Sequence, residues 1–234
     1  MNTDDSVAIP FLAVVLLLMP ALGLLSWYRL KSGKVLPQKK KRLQSAMAAQ
    51  ILLLVFALAV ASHEGITLFP RNLPSTLECI LGGGFVAATL LRLRRAWKHI
   101  DKKRKERLHL FLPETSSELR YWVPIAVLAG FGEECAYRGV AFTLLREMTL
   151  SAPASVFICV VAFGIGHMTQ GRRSALAVAL LGLLFHLMVF TTGTLYLAIG
   201  VHTLYDLLLG WLVLRLSVTD KFEADRAIAV SPAS

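Results

Sequence analysis

The chain has 234 residues, 56% of them hydrophobic and only 17% charged, with a mean hydropathy of +0.61 and a formal net charge of +10. Soluble domains carry about 25% charged residues, so this balance excludes an ordinary soluble fold. Three cysteines, all inside apolar stretches, give neither a disulfide framework nor a CxxC metal site.

A membrane span needs about 20 mostly apolar residues. Seven such windows run along the chain, at 7–28, 45–63, 75–91, 121–145, 152–168, 174–191 and 194–216. The expected fold is therefore all-α, a polytopic transmembrane helix bundle of about seven spans. Before the first window stand Asp4 and Asp5 rather than a basic segment, and no small-residue cleavage site follows it. It reads as a retained anchor.

The basic residues alternate by side. Arg29, Lys31, Lys34 and residues 39–42 follow the first window, and nine Lys or Arg in 92–107 follow the third. Arg172 and Arg173 follow the fifth, and Arg215, Lys221 and Arg226 the seventh, whereas the opposite loops hold only Arg71 and Arg146. Under the positive-inside rule the N-terminus is outside and the C-terminus cytoplasmic. Charge here marks topology and contact with the lipid bilayer, and no nucleic acid partner is expected.

Three regions follow from composition. Residues 1–110 form a three-span region with basic cytoplasmic loops, in which Gly82, Gly83 and Gly84 invite close helix approach. Residues 111–216 form a four-helix core, opened by acids and hydroxyls that mark a helix N-terminus, with Ser116 or Ser117 as cap. Residues 217–234 form a polar cytoplasmic tail, expected to be mobile from 219 onward.

Every deep ionisable group lies in the second region. A charge near the bilayer centre costs about 2.5 kcal/mol or more, so each requires an explanation. Glu133, Glu134 and Arg138 share the fourth window. Glu134 and Arg138 are four apart, acid first, on one helix face, which favours an ion pair, while Glu133 points about 100° away. One carboxylate is thereby neutralised and the other left for chemistry. The rival reading of this run is a structural network that locks helix packing, but a single arginine compensates two adjacent carboxylates poorly.

His167 closes the fifth window, and the seventh holds His202 and Asp206, again four apart. At about 1.5 Å per residue, Glu133 lies roughly 18 Å from the cytoplasmic edge, and His202 and Asp206 about 12 and 18 Å from the outer one. All three fall near the middle of a core about 30 Å thick. Facing helices can bring such groups into one polar pocket. His186 has no acidic partner in its own helix and is left out of that pocket. His63, Glu64, His99 and His109 are expected to face water or headgroups. Cys135 lacks an adjacent histidine in its helix and reads as inert.

Glu-Glu-x-x-x-Arg at 133–138, Phe-x-x-x-His at 163–167 and His-x-x-x-Asp at 202–206 resemble, in order, the three motifs of the CAAX-endopeptidase and bacteriocin-processing (CPBP) family. Thr192-Gly193-Thr194-Leu195 resembles that family's Thr-Gly-Ser-Leu turn. The resemblance covers about 120 to 216. His186 stands where many members have glycine, and Asp206 where the prenyl-protein endopeptidases have asparagine.

The resemblance implies an intramembrane endopeptidase that cuts a membrane-associated or lipidated protein or peptide, in a bacterial inner membrane. Its site would be Glu133, Glu134, Arg138, His167, His202 and Asp206. Glu133, assisted by His167, would activate water, and His202 would donate to the oxyanion. Asp206 would help as a donor when protonated or orient His202 when ionised. No cofactor is expected. The rival is Zn²⁺ held by His167, His202 and Glu133, although no His-Glu-x-x-His helix is present. The alternative functions are a non-catalytic immunity or scaffold protein, or a proton-coupled transporter, for which internal repeats would be usual.

Overall fold

A computed structural model describes residues 5–34, 36–148 and 151–230, with side chains described as far as residue 220. The described residues form helices and connecting turns without strands. The first rod, α1, runs through Asp5–Ala13, a π-helical stretch Val14–Leu18 and Met19–Lys31. It is followed by α2 (Lys39–His63), α3 (Thr76–Ala96) and the short basic α4 (Lys102–Phe111). Then come α5 (Ser116–Glu133), α6 (Ala152–Gly166), α7 (Arg172–Thr192) and α8 (Tyr196–Val230).

Local chemistry fixes several helix starts. Ser75 and Glu78 form a capping box at α3, and Asp101 and Ser151 cap α4 and α6. The cap of α5 is Thr115, whose hydroxyl accepts from the Glu118 N–H at 3.2 Å, rather than Ser116 or Ser117. A cap needs extended backbone at the hydroxyl residue. Thr115 has it, whereas Ser116 and Ser117 are already helical.

Five of these helices are long and apolar enough to cross a membrane: Ser6–Lys31, Lys39–His63, Thr76–His99, Arg172–Thr192 and Tyr196–Asp220. The other two expected spans do not meet that measure. The sixth helix has 15 residues and ends at Gly166, and α5 carries the charged run. Outward-facing Leu17, Leu52, Leu81 and Leu180 are each at least 60% exposed. An apolar exterior on this scale is the face of an integral membrane protein.

Inside, α2 packs along α5, α5 against α8, and α6 between α1 and α7. Phe11, Val15, Ala57, Tyr137, Leu144, Cys159 and Phe163 share one core. Of the three consecutive glycines only Gly82 is a close contact, where a Cβ would lie 2.6 Å from Val201 Cγ2. Gly164 does not interrupt α6. It lets α7 approach, since a Cβ there would meet that of Ala179 at 2.8 Å.

Some expected surface groups are not on the surface. Glu64 is buried, and His109 packs edge-on against Trp97 at 6.2 Å. Trp97, the aromatic of the basic 92–107 run, is itself buried, with Nε1 donating to Asp220 at 3.0 Å, so it offers no face for base stacking. The expected mobile tail begins instead as a continuation of α8 to Val230, and Asp220 pairs with Lys105 at 2.8 Å. Residues 231–234 of that tail lie outside the described residues.

Candidate functional site

The deep polar groups converge where α2, α5 and α8 cross. Small residues set the crossing. A Cβ on Gly130 would collide with the Thr203 hydroxyl, which brings α8 onto α5 one residue from His202. A Cβ on Gly132 would lie 3.3 Å from the backbone and side-chain oxygens of Gln50, which brings α2 in from the other side. At this point α5 widens into a π-helix over Glu134–Ala141 before returning to α-helix over Phe142–Glu147. Such bulges frequently occur at functional sites.

The widened turn carries the acid–base run. Glu134 is fully buried, Arg138 is 2% exposed and Glu133 is 7% exposed. Arg138 Nη1 donates to Glu134 Oε1 at 3.2 Å. The guanidinium also lies over the Phe163 ring, at 4.4 Å from its centroid, with Phe185 at 5.5 Å. Aromatic faces compensate part of the lost hydration of a buried cation. Gly182 leaves the space for it, since a Cβ there would sit 2.8 Å from Arg138 Nη2.

His202 is the hub. Its Nδ1 lies 2.8 Å from the same Glu134 Oε1, so one carboxylate oxygen serves arginine and histidine together. Nε2 faces Glu133 Oε2 at 3.8 Å and Asp206 Oδ2 at 3.7 Å. The ring stacks on Phe185, 17° from parallel with centroids 5.2 Å apart. The sequence offers Asp206 either as a donor when protonated or as a group that orients His202 when ionised. The close contact is Glu134 instead, because α8 presents Nδ1 toward α5 and leaves Asp206 on the Nε2 side.

The two glutamates, consecutive residues with αR backbone, approach different nitrogens of His202. They flank one imidazole. Glu133 has a partner that sequence reasoning missed: Gln50 Nε2 of α2 donates to its Oε1 at 2.6 Å. The signal in the sequence is an amide inside the apolar second window.

His167 stands just past the end of α6. Its Nδ1 donates to the Phe163 carbonyl at 2.8 Å, since a carbonyl only accepts, and this turns Nε2 away from its own helix. Among the described residues it shares no hydrogen bond or ion pair with Glu133, and it lies within electrostatic reach of Asp206. His186 stays outside the carboxylate cluster, buried against Phe142 and Phe190. Among the described residues no three His, Cys, Asp or Glu side chains are arranged to hold a metal ion.

The Thr192–Leu195 turn has its own logic. Gly193 takes a left-handed φ of 66° that ends α7, and the Thr194 hydroxyl accepts from the Tyr196 N–H at 3.0 Å to start α8. The direction of α8, and with it the place of His202, is set there.

Fold and site together define an all-helical integral membrane protein with carboxylates and imidazoles gathered inside its bundle. Within that class, residues 115–208 match the model of the family described as type II CAAX prenyl endopeptidase Rce1-like. This is a protease family, and the matched stretch spans all six residues of the motifs. Gln50 lies outside it. No curated protein and no solved structure matches the chain.

Proposed function

We propose that the chain is an intramembrane endopeptidase that hydrolyses a peptide bond of a membrane-associated or lipidated protein or peptide by glutamate-activated water. The observation that carries this reading is the arrangement of Glu133 and His202. A carboxylate held by one amide donor faces, at 3.8 Å, the Nε2 of an imidazole whose other nitrogen is already occupied.

Glu133 is the base. With Oε1 fixed by Gln50, Oε2 remains to take a proton from the attacking water. His202 is the oxyanion donor. Nδ1–H is given to Glu134, so Nε2 can donate only as the imidazolium, whose charge is matched by the surrounding carboxylates. Glu134 and Arg138 position that ring. His167, with Nε2 turned outward, assists at the water or the leaving amine, and Asp206 completes the field around His202. No metal takes part in this scheme. A preorganised donor aimed at a developing oxyanion is commonly the largest single contribution to acyl-transfer catalysis.

A bundle of seven spans suits this reading, with α5 and α6 crossing as polar or short helices sheltered by the other five, the N-terminus outside and the C-terminus in the cytoplasm of a bacterial inner membrane. The alternation of basic loops supports that topology. Reporter fusions test it, and a cytoplasmic 63–74 loop would overturn it. The enzymatic reading is tested by mass spectrometry of membrane proteins from cells carrying the wild-type chain or Glu133→Gln. New termini that appear only with the wild type are expected, and identical termini in both would favour the scaffold alternative.

A further inference from the structure

A wide cavity lies away from the carboxylate cluster. It has a volume of about 940 Å³ and is walled by the C-terminal end of α1, by α4, and by the turn that leads into α7. Six of its lining residues are basic (Lys31, Lys103, Arg104, Arg107, Arg172 and Arg173), against Asp101 and Glu106. Among the described residues none of the six forms an ion pair, although elsewhere on the chain Lys39 and Lys105 are paired with carboxylates.

Five of the six are exposed and Arg107 is half-buried, so positive charge is concentrated along this wall. The first turn of α7 holds Arg172 and Arg173 and no acidic residue, and Gly171 in front of it has φ +97° and provides no side-chain cap. The Arg107 guanidinium is pressed against this same helix end, since a Cβ on Gly171 would lie 2.5 Å from its Nη1. Helix N-termini carry a partial positive charge and favour anions. Here three arginines are gathered on one, inside a cavity, with free backbone N–H groups. An anion satisfies all of them together.

Position and lining identify the anion. The cavity opens where a membrane-crossing α1 ends and a membrane-crossing α7 begins, the level of lipid headgroups. Its apolar wall is Trp27, Leu30 and Leu110. Trp27 is held between two of the cations, with Lys31 Nζ at 5.6 Å and the Arg172 guanidinium at 5.3 Å from its ring. Indole at the boundary, cations toward water and leucines toward hydrocarbon match the profile of a phospholipid from phosphate to glycerol. The volume exceeds one phosphate and accommodates a phosphate bearing a polar head.

We propose that this cavity is a binding site for the phosphate-bearing headgroup of an anionic phospholipid. The same wall reaches the candidate active centre. Thr169 and Gln170 line the cavity two and three residues after His167, and Gly23 of α1 packs on the backbone of Gly166, where a Cβ would lie 2.5 Å from its carbonyl oxygen. A headgroup in the cavity steadies the turn that presents His167.

The test uses the full chain purified in detergent and titrated with phosphatidylglycerol, phosphatidylcholine or inorganic phosphate. Bound lipid is counted by native mass spectrometry, and the thermal midpoint is followed in parallel. Phosphatidylglycerol is expected to be retained about tenfold more strongly than phosphatidylcholine and to raise the midpoint. Arg107→Gln/Arg172→Gln/Arg173→Gln removes that preference, while Arg94→Gln/Arg95→Gln, exposed on α3 outside the cavity, keeps it. Circular dichroism of both variants establishes that they are folded. The proposal is overturned by equal retention of the two lipids, by equal loss in the Arg94 and Arg95 variant, or by stabilisation with inorganic phosphate to which lipid adds nothing. None of these readouts depends on turnover, so the outcome is separate from the fate of the peptidase reading.

Discussion

Gln50 and Glu133 meet amide to carboxylate at 2.6 Å across the crossing of α2 and α5. The contact ties a helix outside the family match to the proposed base. A hydrogen bond to a charged group is worth about 1.5–3 kcal/mol, which corresponds to roughly tenfold to a hundredfold in rate if it is spent on orientation. Gln50→Leu is therefore expected to slow the appearance of new substrate termini by about that factor. The melting temperature should fall modestly as well, because Glu133 Oε1 then loses its donor in a buried setting. Unchanged cleavage at equal protein level would remove Gln50 from the site.

How much of this was legible beforehand follows from the range of each contact. The Glu134–Arg138 pair is a contact within one helix, so its spacing alone announces it. The Glu134–His202 bond joins residues 68 positions apart, and Gln50–Glu133 joins residues 83 apart. Periodicity places a side chain on a face but does not say which face of another helix it meets. The π-helical stretch was illegible too. The fold class was plain from hydropathy. The count of spans was less so, because α5 holds the polar site and α6 is short.

Gly182 tests the socket of Arg138. A methyl group there would sit 2.8 Å from Nη2 and 3.1 Å from the Phe163 ring, so either the guanidinium leaves its aromatic faces or α7 shifts. Overpacking of this kind typically costs about 1–3 kcal/mol. Gly182→Ala should lower the thermal midpoint and reduce cleavage together, whereas Gly83→Ala, at a position open within 4 Å, should do neither. A fully stable Gly182→Ala protein would show that the socket is looser than described.

The starts of α2 and α5 are clasped by Lys39, which reaches Glu114 and Glu118 at 2.9 Å each. Partial burial pushes the Glu118 carboxyl up, but the Glu114 N–H and the Lys39 ammonium outweigh it and hold the group below the ordinary carboxylate range. Its folded value is thus below its unfolded one. The clasp then contributes fully above the unfolded value of about 4.3 and is lost as pH falls through the folded value. Thermal midpoints measured across this acid window should fall less steeply for Glu118→Gln than for the wild type. Parallel curves would exclude the clasp as a source of acid lability.

Metal dependence separates two mechanisms that use overlapping residues. With His202 Nδ1 given to Glu134 and Glu133 Oε1 to Gln50, both side chains are already partly committed. Purified active protein is expected to carry less than one zinc per chain and to keep its activity after chelation. Loss on chelation with recovery by Zn²⁺ alone would make His167 and His202 ligands instead of base partner and donor.

The two glutamates are neighbours with different duties, and their amides should separate them. Glu133→Gln keeps volume and shape and can still accept from Gln50, so stability should stay nearly unchanged while cleavage is abolished. Glu134→Gln is different. Glu134 Oε1 is shared by the Arg138 guanidinium and His202 Nδ1, all in a buried setting. Removing its charge strands a buried cation, a loss typically of about 3–5 kcal/mol, and frees His202 to turn on its stack with Phe185. Stability and cleavage should therefore fall together. Adding Arg138→Met to Glu134→Gln removes the stranded charge, and methionine suits the aromatic faces of Phe163 and Phe185. Part of the stability should return, but cleavage should not, since a neutral amide at 134 no longer supplies the negative charge that stabilises the His202 imidazolium. Thermal melts and terminus mass spectrometry on the three variants decide this. A Glu133→Gln protein that unfolds, beside a stable but inactive Glu134→Gln protein, would exchange the two roles.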